Sequence, residues 1–164
     1  MKHYHHLVNQ VEEITVVIKQ YVLERFERKY NLLIELPGVS AIVAFVILSE
    51  IGPNVEAFQS QGNLASWAGV CPGSYESAGI KKSSHTTQGN KYLKSILFQA
   101  GGTAGRSKDE AFHNLYARIS GRSSKMKAII ACAHKMIRVI YKILSTGEHY
   151  DAKKALGLRQ QARA

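Results

Sequence analysis

At 164 residues the chain has room for one domain, or one domain with a helical extension, and two independent cores would be crowded. Hydrophobic residues make up 45% of it, which excludes a wholly disordered chain, and no uninterrupted apolar run approaches the ~20 residues of a membrane-spanning helix. The net charge of +10 is unevenly spread: residues 1–80 hold five Lys/Arg against eight Asp/Glu, net −3, and residues 81–164 hold 17 against four, net +13.

The first predicted element is a long helix from His6 to Leu36. Leu7, Val11, Ile14, Ile18 and Tyr21 recur at steps of four and three, a short heptad seam flanked by Val8, Val17 and Val22. Such a helix either packs on the rest of the domain or pairs subunits. Leu36-Pro37-Gly38-Val39-Ser40 then turns the chain into a second apolar helix ending near Glu50. This is a helix-hairpin-helix pattern, which can present backbone N–H groups at a helix N-terminus to a phosphate. Gly38 permits close approach, and Ser40 stands where a second glycine is usual and can cap the following helix. A hairpin that only packs is the alternative.

Gly52-Pro53-Asn54 marks a turn, and a short helix from Ser60 to Ala68 is expected to bring Leu64 and Trp67 inward. Residues Gly69 to Asn90 show neither helical nor strand period and are expected to form an irregular loop. A structureless stretch of that length inside a domain is uncommon and is usually functional or disordered. Beyond it, Lys91 to Arg106 reads as a helix with Tyr92, Ile96, Leu97 and Ala100 inward and Lys91 and Lys94 outward. Ala111 to Ile119 forms another, with Phe112, Leu115, Tyr116 and Ile119 on one face. Ser123 or Ser124 caps a long helix that Gly147 ends, with Met126, Ile129, Ile130, Ala133, Met136, Ile137, Ile140, Ile143 and Leu144 as its core stripe. Lys135, Arg138 and Lys142 form a cationic stripe on another face, with Arg118, Arg122, Lys125 and Lys127 near its start. The segment 151–164 reads as a basic tail. The fold class is therefore mainly α: a long N-terminal helix, a helix-hairpin-helix, an irregular serine-containing loop and a C-terminal helical bundle.

A basic half of this kind repels itself unless a polyanion lies against it, and nucleic acid is the commonest such partner; a solvated basic surface or acidic lipid are the alternatives. Two cysteines without CxxC spacing, Cys71 and Cys132, fit a reducing compartment and argue against a zinc site or disulfide framework. The N-terminus leads into a charged amphipathic stretch and not into an apolar signal core, so a cytoplasmic protein without a membrane partner is expected. Within the loop, a serine hydroxyl needs a base, a cation or a metal to become a nucleophile. Lys81, Lys82 and His85 could hold a phosphate there, and the residues alone do not choose among Ser74, Ser77, Ser83 and Ser84.

Several ordered blocks resemble one known family. They are Leu36-Pro37-Gly38-Val39-Ser40, Leu64-Ala65-Ser66-Trp67-Ala68-Gly69-Val70-Cys71-Pro72, Ser77-Ala78-Gly79 and Gly89-Asn90-Lys91-Tyr92-Leu93-Lys94. Together with the late run Lys125 to Lys135, they look like the C-terminal half of insertion-sequence-110-type transposases, the group that includes the Piv-like DNA invertases. The resemblance implies a division into a helical connector with coiled-coil character over 1–32, a transposase C-terminal domain over 33–150, and the tail. It also implies an RNA-guided DNA recombinase in which Ser77 attacks a DNA phosphodiester. The partners it implies are DNA, a guide RNA, and further copies of the chain or full-length transposase subunits.

In that family an N-terminal ribonuclease-H-like domain carries the acidic residues that hold divalent metal. The sequence here begins at the connector, so Mg²⁺ is expected on a partner domain, with no cofactor or metal bound by this chain and little catalysis by it alone. By charge, Lys81, Lys82, Lys91, Lys94, Arg122, Lys125, Lys135, Arg138 and Lys142, with Gly38 and Ser40 in the hairpin, are the expected nucleic-acid contacts. The alternative function is a non-catalytic basic nucleic-acid-binding module or an oligomerisation remnant.

Overall fold

Apolar residues spaced three and four apart between Ala128 and Leu144 become the buried spine of the molecule, helix α6 (Lys125–Thr146). Ser124 caps it by accepting from the Lys127 N–H, and Gly147 ends it in the left-handed region at φ 69°. In this computed structural model, residues 1–71, 75–77, 80–83 and 85–157 are described, with 75–77 and 80–83 described by backbone alone. The described elements are α1 (Lys2–Ile34), α2 (Ala41–Ile51), α3 (Gln61–Trp67), strands β1 (Tyr75–Ser77) and β2 (Ile80–Ser83), α4 (Lys91–Gly105), α5 (Glu110–Arg122), α6 and α7 (Ala152–Gly157). The fold is mainly α, as expected.

Helix α6 packs against α4, α5 and α3, while α1 lies against α2 and touches α6. Leu93, Leu97, Ala100 and Ala104 of α4 meet Ala133, Met136, Ile137 and Ile140 of α6 in one core that also takes in Phe112, Leu33, Leu36 and Ile47. A Cβ on Gly101 would come within 2.7 Å of the Ala133 nitrogen, so the α4–α6 crossing depends on having no side chain there. Lys29 of α1 donates to the Leu144 carbonyl near the end of α6, tying the two helices together.

Several side chains face differently from expectation. Trp67 is 39% exposed at the end of the seven-residue α3, with its ring tilted 56° to that of Phe58. Tyr92 is exposed and the adjacent Leu93 is fully buried, so the inward face of α4 runs through Leu93, Leu97 and Ala100. Met126 is exposed because the core stripe of α6 begins only at Ala128. The expected irregular loop contains an antiparallel pair, β1 with β2. Strands of three and four residues are too short to leave a period in the sequence. Part of the expected tail is helix α7, which buries Ala155; residues 158–164 lie outside the described residues.

The seam on α1 is exposed and has no partner among the described residues. Leu7, Val11, Ile14, Ile18 and Tyr21 are between 44% and 64% exposed, and the first buried residue of the helix is Val22. Phe26 has non-helical angles (φ −133°, ψ 21°), so α1 kinks just where it reaches the body.

Candidate functional site

The segment between α3 and α4 is closed at its base by two glycines. Gly69 sits at φ 71°, and a Cβ there would lie 3.0 Å from the Gly89 nitrogen and from the Thr87 carbonyl oxygen. A Cβ on Gly89 would lie 2.4 Å from the Gly69 nitrogen and 2.5 Å from the Trp67 carbonyl oxygen. The two chains therefore cross backbone on backbone. Hydrogen bonds fasten the crossing: Asn90 N–H donates to Trp67 O at 3.0 Å and Thr87 N–H to Cys71 O at 3.2 Å.

Asn90 continues the clamp into the helices. Its side-chain oxygen accepts from the N–H groups of Tyr92 and Leu93, both at 3.0 Å, capping α4. Its amide donates to the Glu50 carboxylate near the end of α2. Lys94, one turn into α4, donates to the Thr87 carbonyl at 2.9 Å and so braces the returning arm. The loop is thus mounted on α2, α3 and α4 together. Sequence reasoning missed Glu50, whose tie to Asn90 spans 40 positions and has no local signal.

Within the loop, the register pairs Tyr75 with Ser83, Glu76 with Lys81 and Ser77 with Ile80, with an irregularity between Tyr75 and Glu76. Ser77 is therefore the last residue of β1, and Lys81 and Lys82 lie on β2. The side chains of Ser77, Lys81, Lys82 and Ser83 lie outside the described residues, as do Ser74 and Ser84 altogether.

The hairpin after α1 has a packing role. Gly38 has φ 84°, and a Cβ there would sit 2.4 Å from the Ala100 carbonyl oxygen and 2.9 Å from the Ala104 nitrogen of α4. Its close approach is to a helix backbone of the same chain. Ser40 is exposed and caps α2 by accepting from the Val43 N–H at 3.4 Å.

The basic side chains separate into two groups. Lys91, Arg122, Lys125, Lys127 and Lys142 are exposed, and the Lys91 ammonium lies 4.9 Å from the Tyr92 ring centre. Lys135 turns inward: its ammonium donates to Ala111 O at 2.8 Å and lies over the Phe112 ring, and burial pushes its pKa down. Arg138 donates from Nε to Gln61 Oε1 on α3 at 3.1 Å. The expected stripe Lys135–Arg138–Lys142 is therefore not one outer face. Helix α5 covers part of it, and Lys142 stands apart beside Tyr150 and α7.

Among the described residues no group of three or more His, Cys, Asp or Glu could hold a metal ion. No described helix is long and apolar enough to cross a membrane. Cys71 at the loop base is half-buried with its thiol pKa raised by burial, and Cys132 is buried with its thiol pushed up to about 11.

The model of the transposase IS116/IS110/IS902 family matches residues 30–117, from the end of α1 through the hairpin, the loop and α4 into α5, and the chain belongs to this family. A protein named as a transposase, y4pF/y4sB of Sinorhizobium fredii, is 30% identical over 155 residues, covering 90% of this chain and 38% of that protein. The pilin gene-inverting proteins of Moraxella bovis and Moraxella lacunata are each 30% identical over 127 residues, covering 75% of this chain and 39% of theirs. The chain thus spans about two fifths of the length of the curated relatives it matches.

Proposed function

We propose that this chain is the strand-exchange part of a DNA recombinase, with Ser77 as its nucleophile. The observation that carries the reading is the Gly69–Gly89 crossing, which mounts the Ser77 hairpin on three helices inside the matched segment. A nucleophile must be held to within a fraction of an ångström to attack phosphorus in line, and a clamped loop meets that need. In the step, Ser77 Oγ bonds to phosphorus and the P–O bond to one sugar breaks. The serine proton goes to a base, and the departing sugar oxygen takes a proton to become a hydroxyl. The phosphoserine link conserves the bond energy, and the reverse attack by a sugar hydroxyl rejoins the strands.

Lys81 and Lys82 would hold the neighbouring phosphate. Lys91, Arg122, Lys125 and Lys142 would follow the backbone of bound DNA or of a guide RNA by charge alone. Lys94 would contribute indirectly, through its bond to Thr87 at the neck. Divalent metal, which in such chemistry lowers the cost of deprotonating a hydroxyl and of developing charge, does not fit the described residues, so no step here passes through it. Carboxylates for Mg²⁺ would come from a ribonuclease-H-like domain, and the exposed seam of α1 would bring subunits together.

Covalent capture tests the reading. The chain is mixed with a full-length relative and a nicked DNA substrate, and protein–DNA adducts are resolved on a denaturing gel. An adduct carrying this chain that disappears in Ser77→Ala, and persists in Ser74→Ala and Ser83→Ala, is expected. An adduct that survives Ser77→Ala would sink the assignment. No adduct together with salt-dependent DNA binding would favour a non-catalytic basic module.

A further inference from the structure

Helices α5, α6 and α7 line a half-open cavity of about 320 Å³ at some remove in sequence from the serine loop. Arg118 from α5 and Lys135 and Arg138 from α6 line it together with the His134 imidazole. No carboxylate is among the described residues that line it. The acid whose field reaches Lys135 is Asp109, and its oxygens are engaged by the Phe112 N–H at 3.1 Å and the Tyr150 hydroxyl at 2.9 Å.

Three cations sharing one wall repel each other, and burial adds to the cost. Two of them are oriented by hydrogen bonds, Lys135 by donating to the Ala111 carbonyl and Arg138 by donating from Nε to Gln61, so the arrangement is built. The Nε of Arg118 is buried without a hydrogen-bond partner among the described residues. A buried donor of that kind is normally satisfied, so it marks a place for an acceptor. Arginine forks match phosphate oxygens two at a time. Leu115 and Leu156 add an apolar stretch to the wall and Asn114 a neutral amide, which suits a ligand larger than a bare ion.

We propose that this cavity is a phosphate-binding site of nucleotide size, which takes one nucleoside monophosphate unit. The phosphate lies against Arg118 and Arg138, and the sugar or base lies along Leu115 and Leu156. The unit comes either from a nucleic-acid strand or from a free nucleotide. The site rests on its own charges and stands apart from the assignment of Ser77.

Calorimetric titration of the whole chain with adenosine monophosphate, and separately with a short single-stranded oligodeoxynucleotide, tests the site. The variants are Arg118→Gln and, as a control on the outer basic surface, Lys125→Gln. Arg118→Gln is expected to weaken at least one of the two ligands by about tenfold or more, as loss of a charged hydrogen bond predicts, with Lys125→Gln leaving adenosine monophosphate unaffected. Weakening of both ligands supports a free-nucleotide source, and weakening of the oligonucleotide alone supports a strand source. The His134 ring resonance of the unaltered chain, assigned by its loss in His134→Gln, shifts on addition of the ligand that binds, which covers the case of a variant that fails to fold. Unchanged affinity for both ligands in a folded Arg118→Gln, or an unmoved His134 resonance at saturation, overturns the proposal. Binding of both ligands that survives Arg118→Gln, with the oligonucleotide falling in Lys125→Gln, would leave the outer surface as the nucleic-acid contact and remove the cavity site.

Discussion

Gly69 and Gly89 touch backbone to backbone, and neither position has room for a Cβ. Gly89→Ala would drive a methyl to 2.4 Å from the Gly69 nitrogen, and backbone cannot yield as a flexible side chain can. The variant is expected to lose about 1–3 kcal/mol of stability by urea unfolding. Native-state hydrogen exchange should locate the loosening at the Asn90 and Thr87 amides, which bond across the neck. If those amides exchange no faster in Gly89→Ala, the crossing is not what fastens the loop.

The hairpin offers a second contrast. Gly38→Ala meets both an unfavourable positive φ and the α4 backbone, and is expected to destabilise the chain by about 3 kcal/mol. Ser40→Ala removes only the cap on α2, for about 1 kcal/mol. Each variant's DNA affinity, measured under conditions where it is folded, separates packing from phosphate contact. A packing role for Gly38 predicts unchanged affinity in Gly38→Ala, and a folded variant that loses DNA would restore the phosphate role.

Exposed apolar side chains on α1 predict self-association. Leu7, Ile14 and Tyr21 at one heptad position and Val11 and Ile18 at the other leave a continuous strip without a partner among the described residues. Ile14→Asp is expected to shift sedimentation toward monomer while leaving the unfolding midpoint of the monomeric body unchanged, because the core begins only at Val22. An unaltered sedimentation profile would show that the strip does not join copies.

Burial and the Arg138 guanidinium both push the His134 pKa below its ordinary 6.5. The folded state therefore binds fewer protons than the unfolded state in the interval below pH 6.5, and stability falls as pH drops through that interval. It levels off once the pH passes below the folded-state pKa. His134→Gln should flatten that part of a stability–pH profile measured by urea denaturation. A slope identical in the two proteins would assign the pH dependence to other groups.

Much of the helical frame was legible from local chemistry. Ser40 and Ser124 cap helices where a hydroxyl precedes an apolar run, and Gly147 stops α6 in the left-handed region. The buried stripe from Ala133 to Leu144 follows directly from three- and four-residue spacing. Periodicity reports which residues share a face, but not what lies against that face. Lys135 and Arg138 read as an outer stripe because the opposing surfaces of α5 and α3 come from residues 24 and 77 positions away. The tie between Asn90 and Glu50 was hidden for the same reason. Glycines 38, 69 and 89 were visible as family landmarks, yet only the fold supplies their cause, a backbone passing within ångströms of each.

The kink at Phe26 turns α1 into a lever. About 20 residues of helix precede Val22, and at 1.5 Å per residue they reach about 30 Å beyond the core. A change of ten degrees at Phe26 would sweep the far tip, about 36 Å away, through about 6 Å. The strip from Leu7 to Tyr21 therefore stands clear of the core, and the direction of the kink at Phe26 fixes where that strip lies relative to the body.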